Sequence, residues 1–308
     1  MKKVTAICLL AILAAGVLFT GCGRKVRTFG FTSMRISNPF FAVIEQTIRE
    51  EVEKNGDKLI SVDPDMDPAK QISQIEELIT KKIDAIFINP VDWEEIKPAL
   101  VALNQAKIPI INYDAPVKDI DLVTAYVGSD NRNAGYVCGV DMVKRFPNGG
   151  PIAVLDSPGM RSIRDRIDGF NEAITGKGFT VVFLRDAQGE STTARRHTEE
   201  MLKSNPEVIA IMGGNDPTAL GAYEACKAAG RTNILIYGVD GSPGVKAIIA
   251  ERGQFAGSGA QSPIAIAKTS VELAYKILNK KPYEKRVPVK TFMINQENID
   301  QYGIDGWQ

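Results

Sequence analysis

The sequence predicts an α/β protein built as two doubly wound parallel-sheet lobes, and three observations carry that prediction. Short apolar, β-branched runs alternate with longer stretches of helical period; the series starts afresh midway along the chain; and 308 residues exceed what one core fills, given roughly 150 residues per domain. In the first half the runs are "TFGFTS", "LISV", "DAIFIN" and "IPIIN". Between them the helical pattern covers Phe40 to Lys54, Pro68 to Lys81 and Asp92 to Ala106. The second series is "TAYVGSDN", "PIAVLDS", "TVVFLRD", "VIAIMGG" and "ILIYGVDG", each followed by a helical stretch. No low-complexity tract, long linker or short-period repeat interrupts the chain. The lobes therefore join through ordered crossings, one near Val127 to Asp130, and move as bodies on either side of a cleft.

An export segment stands ahead of this architecture. Lys2 and Lys3 precede the apolar run Val4 to Thr20 and the small Gly21, the pattern of a secretion signal over residues 1–21. The run is at the short end of the ~17–25 residues a membrane-spanning helix requires. The stretch "LFTGC" resembles the lipobox of bacterial lipoproteins, with Phe19 where leucine is commoner. That resemblance implies lipidation of Cys22, which then anchors an extracytoplasmic protein to the membrane. Without Lys2 and Lys3 the chain keeps 35 basic residues against 37 acidic ones, a formal charge of about −2, so nothing in it attracts nucleic acid. Cys8 leaves with the signal. Cys138 and Cys226 lie in small-residue helical patterns and read as buried free thiols rather than a disulfide.

In open α/β sheets ligands bind beyond the carboxyl ends of the strands. The first polar or aromatic residues after each run are Asn38, Phe40 and Phe41; Asn89; Asp114; Ser157 to Arg166; Asn215; Asp240; and Gln261 after "FAGSGA". Amides, two carboxylates, an arginine and flat rings suit a polyhydroxylated ligand, whose hydroxyls each donate and accept while its apolar ring faces need flat partners. Plainer roles compete at each position. Asn38 with Pro39 is a good helix start, Phe40 falls on the apolar stripe Phe40, Ile44, Ile48, Val52, and Asn215 can cap its helix. Asp114 and Asp240 sit in turn-like contexts, and Gln261 precedes Ser262 and Pro263 as a loop residue would. Arg164 and Arg166 are two apart on a helix, so at most one reaches a cleft.

Catalytic apparatus, cofactor loop and metal site are all missing from the pattern. The chain has no G-x-x-x-x-G-K-[ST], G-x-G-x-x-G after a strand, G-x-S-x-G or C-x-x-C, and its one histidine, His197, lies in the charged stretch "ARRHTEE". One enzymatic alternative survives, in which Asp114 and Asp240 act as the acid and base of a glycosidase.

The ordered stretches "NPFF", "AIFINP", "GSDN", "RSIRDRIDGF", "GGNDPTALGA", "YGVDGSP" and "GAQSP" resemble those of the ribose-type periplasmic sugar-binding proteins of ABC importers, from about Val26 to Ile299. The resemblance implies the type I periplasmic binding protein fold, with three hinge crossings. Residues 26–128 plus 262–289 would form one lobe, and 129–261 plus 290–308 the other. It implies a monomer that carries a monosaccharide to permease subunits by cleft closure; a carrier serving a chemoreceptor or sensor kinase would have the same sequence. Asn38 would bond sugar hydroxyls, Phe40 and Phe41 would flank the ring, and Asp114 would accept bonds. Arg166, Asn215, Asp240 and Gln261 would complete the site. Two departures point away from ribose itself: Ala115 stands where the pattern has arginine, and no aromatic stands near Gln188 and Gly189. LacI-type repressors share the fold but carry a basic DNA-binding head where this chain has its export segment. Lining an open, wet cleft, Asp114 and Arg166 are expected to matter for affinity and little for folding.

Mass spectrometry of the protein from its native membrane should show a chain starting at Cys22 with acyl mass added. An intact Met1, or an unmodified Cys22, would rule the anchor out.

Overall fold

The computed structural model describes residues 25–308, so the signal segment, Cys8 and Cys22 lie outside the described residues. Twelve strands and ten α-helices follow one another. In the first lobe these are β1 (Thr28–Thr32), α1 (Pro39–Lys54), β2 (Lys58–Val62), α2 (Pro68–Thr80), β3 (Ala85–Ile88), α3 (Lys97–Gln105), β4 (Ile110–Tyr113) and β5 (Ala125–Ser129). The second holds α4 (Asn131–Arg145), β6 (Gly150–Asp156), α5 (Arg161–Ile174), β7 (Phe179–Asp186), α6 (Ser191–Ser204), β8 (Ala210–Gly213), α7 (Asp216–Ala228), β9 (Leu235–Asp240), α8 (Pro243–Ala250) and β10 (Phe255–Ala260). The chain then returns through α9 (Pro263–Leu278) and β11 (Arg286–Val289) to the first lobe, and ends with β12 (Phe292–Asn295) and α10 (Ile299–Tyr302) on the second.

Two six-stranded sheets result, in the orders β11-β5-β4-β3-β1-β2 and β12-β10-β9-β8-β6-β7. All pairings are parallel except β10 with β12. Alternation along each strand sends side chains to both faces, and helices cover both. In the first lobe Phe29, Phe31 and Phe87 pack under α1 and α9, while Ile86, Ile88 and Ile110 pack under α2 and α3. In the second, α6, α7 and α8 cover one face and α4 and α5 the other. Each fully buried aliphatic or aromatic side chain contributes about 1.5–3 kcal/mol, so each lobe has a core of its own.

The helix starts follow local chemistry. Asn38 Oδ1 accepts from Phe40 N at 2.9 Å and Pro39 opens α1; Asp67 Oδ1 accepts from Lys70 N at 3.0 Å and Pro68 opens α2. The helix expected from Asp92 begins five residues later, at Lys97. Asp92 Oδ1 instead takes the backbone N–H groups of Glu94 and Glu95, at 2.7 and 2.8 Å, in a side-chain-closed turn. Cys138 and Cys226 are free and buried, and burial raises both thiols, Cys226 to about 11.

Three crossings join the sheets, between β5 and α4, β10 and α9, and β11 and β12. Two of them are tied together: Thr291 Oγ1 donates to the Asp130 carbonyl at 3.0 Å, and Asn133 Nδ2 donates to Thr291 Oγ1 at 2.9 Å. Helix α4, which follows the first of these crossings, and α5, which lines the cleft, press backbone to backbone. A Cβ on Gly135 would lie 1.7 Å from the Arg166 carbonyl oxygen, and one on Gly169 would lie 1.9 Å from that of Arg132. Neither oxygen can retreat without moving its helix.

Gly135→Ala separates helix propensity from packing. Propensity alone would stabilise by roughly 1 kcal/mol, whereas overpacking of this kind costs about 1–3 kcal/mol. A lower melting temperature is the expected result, and a higher one would refute the close-packing account.

Candidate functional site

The carboxyl ends of both sheets face one cavity of about 240 Å³. Seven of the eight residues singled out from sequence line it: Asn38, Phe40, Phe41, Asp114, Arg166, Asn215 and Asp240. Gln261 does not. It lies fully buried behind the wall, where its Nε2 donates to Asp240 Oδ1 at 2.8 Å and its backbone N–H to the Asp240 carbonyl at 3.0 Å.

Arg166 occupies the centre of the polar wall, while Arg164 points to solvent. Its Nε donates to Asn131 Oδ1 at 2.8 Å, and Nη1 donates to the Gly214 carbonyl at 3.0 Å and to Asp240 Oδ1 at 3.3 Å. Nη2 has no partner among the described residues, so its donors remain for something in the cavity. Neither Arg166 nor Asp114 lines an open, wet cleft as the sequence suggests: Asp114 is 3% exposed, and the Arg166 and Asp240 side chains are only 5% and 8% exposed because the α4–α5 contact and the strand ends enclose them. Asp216 adds a third buried charge, held by Ser242 N, Ser242 Oγ and Ser258 Oγ, each at 2.7 Å.

Asp114 faces this network from the first lobe. Asn89 Nδ2 donates to its Oδ2 at 3.0 Å, and Oδ1 is buried with no partner. Asn89 thus orients Asp114 and does not line the cavity. Burial raises the Asp114 carboxyl above its ordinary range, opposed by the charge of Arg166 and the Asn89 bond. Burial likewise raises Asp216, and pushes Asp240 up to about 7 against the pull of Arg166.

The two cleft aspartates also have unusual backbones, with φ of 58° at Asp114 and 145° at Asp240. Met66 and Gln188, at 66° and 55°, line the same cavity. Such conformations cost of order 1–3 kcal/mol each and gather where a structure holds side chains in place for a task.

Local structure explains the remaining residues. Asn38 and Asn215 are helix caps, as the plainer reading has it, and both also stand on the cavity wall; Asn215 Oδ1 accepts from Thr218 N at 2.9 Å and its Nδ2 donates to the Gly189 carbonyl at 3.1 Å. Phe40 and Phe41 meet edge to face, with centroids 5.5 Å apart. Sequence reasoning missed Met34, Met66 and Met160, which make much of the apolar wall, and Arg35, whose Nη1 reaches Glu190 Oε1 across the cleft at 2.7 Å. All follow strand ends, but methionine is neither polar nor aromatic, and Arg35 has the look of a solvated loop residue until its bond to Glu190 of the other lobe is seen. Among the described residues no cluster of His, Cys, Asp and Glu could hold a metal.

Two α/β lobes with a cavity between their strand ends, walled by charged, amide, aromatic and methionine side chains, define a ligand-binding protein of the hinged, two-lobe class. The chain matches the periplasmic binding protein domain over residues 29–282 and belongs to that family. It is 30% identical to the ribose import binding protein of Salmonella typhimurium over 291 residues, 94% of this chain and 97% of that one. To the ribose import binding protein of Bacillus subtilis it is 32% identical over 265 residues, 86% of each. A solute binding protein of an ABC transporter from Bacillus halodurans, solved with bound myo-inositol, has a TM-score of 0.85 at 27% identity, over 90% of this chain and 96% of that one.

Asp240 makes stability depend on pH. With its carboxyl raised from an ordinary 3.8 to about 7, the folded protein keeps a proton that the unfolded chain has released. Its contribution is therefore full below about pH 4 and lost as pH rises through about 7. The ligand-free melting temperature should fall between about pH 6 and pH 8, and less so in Asp240→Asn. Equal slopes would show that Asp240 is already ionised at pH 6.

Proposed function

We propose that this protein captures a small cyclic sugar or polyol outside the cytoplasmic membrane and delivers it to an ABC importer, closing its two lobes on the ligand. One observation carries the reading. Unused bonding capacity on both lobes, the buried Asp114 Oδ1 from one and Arg166 Nη2 from the other, belongs to residues that line one cavity whose walls include Phe40 and Phe41. A ring bearing hydroxyls meets both requirements, since it donates to the carboxylate, accepts from the guanidinium and lays its apolar face on the aromatic rings.

The relatives are import binding proteins, and this chain is likewise a binder and not an enzyme. Asn38, Phe40, Phe41, Asp114, Arg166, Asn215 and Asp240 would touch the ligand, with Gln261 holding Asp240. Cys22 would carry a lipid that keeps the protein beside the permease. Ala115 and Gly189 leave the cavity without the arginine and the aromatic of the ribose pattern, while three methionines supply apolar wall. Myo-inositol and hexoses are therefore tested beside D-ribose.

Calorimetric titration against pentoses, hexoses and myo-inositol tests the proposal, and no binding to any of them would reject it. With the ligand in hand, Asp114→Ala should weaken binding about ten- to a hundredfold, the loss of one charge-assisted bond of roughly 1.5–3 kcal/mol. Arg166→Ala should weaken it as much and also lower the ligand-free melting temperature. It takes the counter-charge from Asp240, whose carboxyl then keeps its proton, and leaves the buried Asn131 Oδ1 and the Gly214 carbonyl without their donor. Wild-type affinity in both variants would remove the core of the proposed site.

A further inference from the structure

The C-terminal tail begins on the second lobe and ends on the first. Helix α10 packs on α8 and β12, and Tyr302 stacks on Phe292 of β12 with centroids 5.1 Å apart. The tail then passes Lys246 of α8, which has no exposed surface and whose Nζ lies 3.5 Å from the Asp305 carbonyl oxygen. Beyond this point Trp307 leaves the second lobe. Its ring meets Phe40 of α1 edge-on, with centroids 5.7 Å apart and planes at 76°, and it packs against the first-lobe core.

Phe40 lines the ligand cavity and is itself edge-to-face with Phe41. Three rings thus run in a row from the cavity wall to the tail, and the outermost comes from the opposite lobe. This link is separate from the three backbone crossings of the hinge. Moving the lobes apart must either break the Trp307–Phe40 contact or pull the tail away from Lys246. The two contacts therefore exist together only when the lobes are together.

We infer that Trp307 is a positioning residue for the ligand cleft: it backs the Phe40 ring against the cavity and latches the second lobe's tail to the first. The inference rests on the reading of this cavity as the ligand site. Removing the ring should loosen the closed arrangement and let ligand leave faster, with little effect on capture, because the open form presents the same groups. An edge-to-face pair of this kind corresponds to a change of roughly three- to tenfold in an equilibrium constant.

The test uses the mature chain with Trp307→Ala, Trp307→Phe and, because the protein has only two tryptophans, Trp93→Phe. The probe is whichever of D-ribose, a hexose panel and myo-inositol binds the wild type most tightly. Stopped-flow measurement should find dissociation from Trp307→Ala roughly three- to tenfold faster, association within about twofold of wild type, and recovery in Trp307→Phe. In the Trp93→Phe protein the emission of Trp307 should shift when the probe binds. Small-angle scattering without ligand should give folded Trp307→Ala a larger radius of gyration than wild type. A wild-type dissociation rate together with a wild-type radius would overturn the inference. If no probe binds the wild type, the sugar reading fails first; the scattering comparison still decides the latch, and equal radii reject it.

Discussion

The site depends on how one guanidinium is buried. Arg166 shares its surroundings with Asp114, Asp216 and Asp240, so three carboxyls and one cation stand where water is scarce. Full ionisation would leave a net negative charge in a poorly solvated space, which is why burial raises all three carboxyls. The fold holds this arrangement from several directions. Asn131 at the start of α4, the Gly214 carbonyl after β8 and Asp240 at the end of β9 all bond Arg166. The α4–α5 backbone contact fixes the helix that carries it. Asn131 directly follows a crossing, so the hinge and the charge centre are mechanically one unit. A ligand hydroxyl donating to Asp114 or Asp240 favours the ionised carboxylate that burial disfavours. Unliganded, the cleft holds its acids against their solvation preference; a ligand supplies part of what water would have supplied.

Much of this was legible in the sequence, because each lobe is a repeat of buried parallel strands and amphipathic helices, and both leave a strong periodic trace. Nine of the twelve strands coincide with apolar runs and β10 with the small-residue stretch "FAGSGA". The other two, β11 and β12, are four-residue edge strands; "RVPV" carries a proline, which an edge tolerates because its N–H side need not pair, and its half-exposed pattern resembles a loop. The residues at strand ends were legible for the same topological reason. What the sequence could not show was depth. Arg166 reads as a residue of an open, wet cleft until Gly135 brings α4 onto its carbonyl, and Gln261 reads as a cleft residue until the β9–β10 pairing turns it toward Asp240. The bond between Arg35 and Glu190 joins residues 155 apart in sequence, and no local pattern announces it.

Opening and closing must be nearly balanced for a ligand to govern them, because a ligand shifts an equilibrium only by its difference in affinity for the two states. The contacts across the cleft fit that requirement. The Arg35–Glu190 pair is 31% and 40% exposed, and exposed pairs are worth about 0–1 kcal/mol. On the rim, Trp93 of the first lobe has Arg161 of α5 5.7 Å from its ring, a cation–π contact of about 0.5–1 kcal/mol at such a site. Asp65 already holds Arg35 Nε at 2.8 Å from within the first lobe, so that side chain need not be ordered anew on closure. Together these rim contacts supply no more than a ligand's one or two charge-assisted bonds, each roughly 1.5–3 kcal/mol. Closure built from a large apolar interface would hold without ligand and would not release it. By keeping its strong interactions inside each lobe and its weak ones between them, the protein leaves the decision to close with whatever fills the space between Asp114 and Arg166.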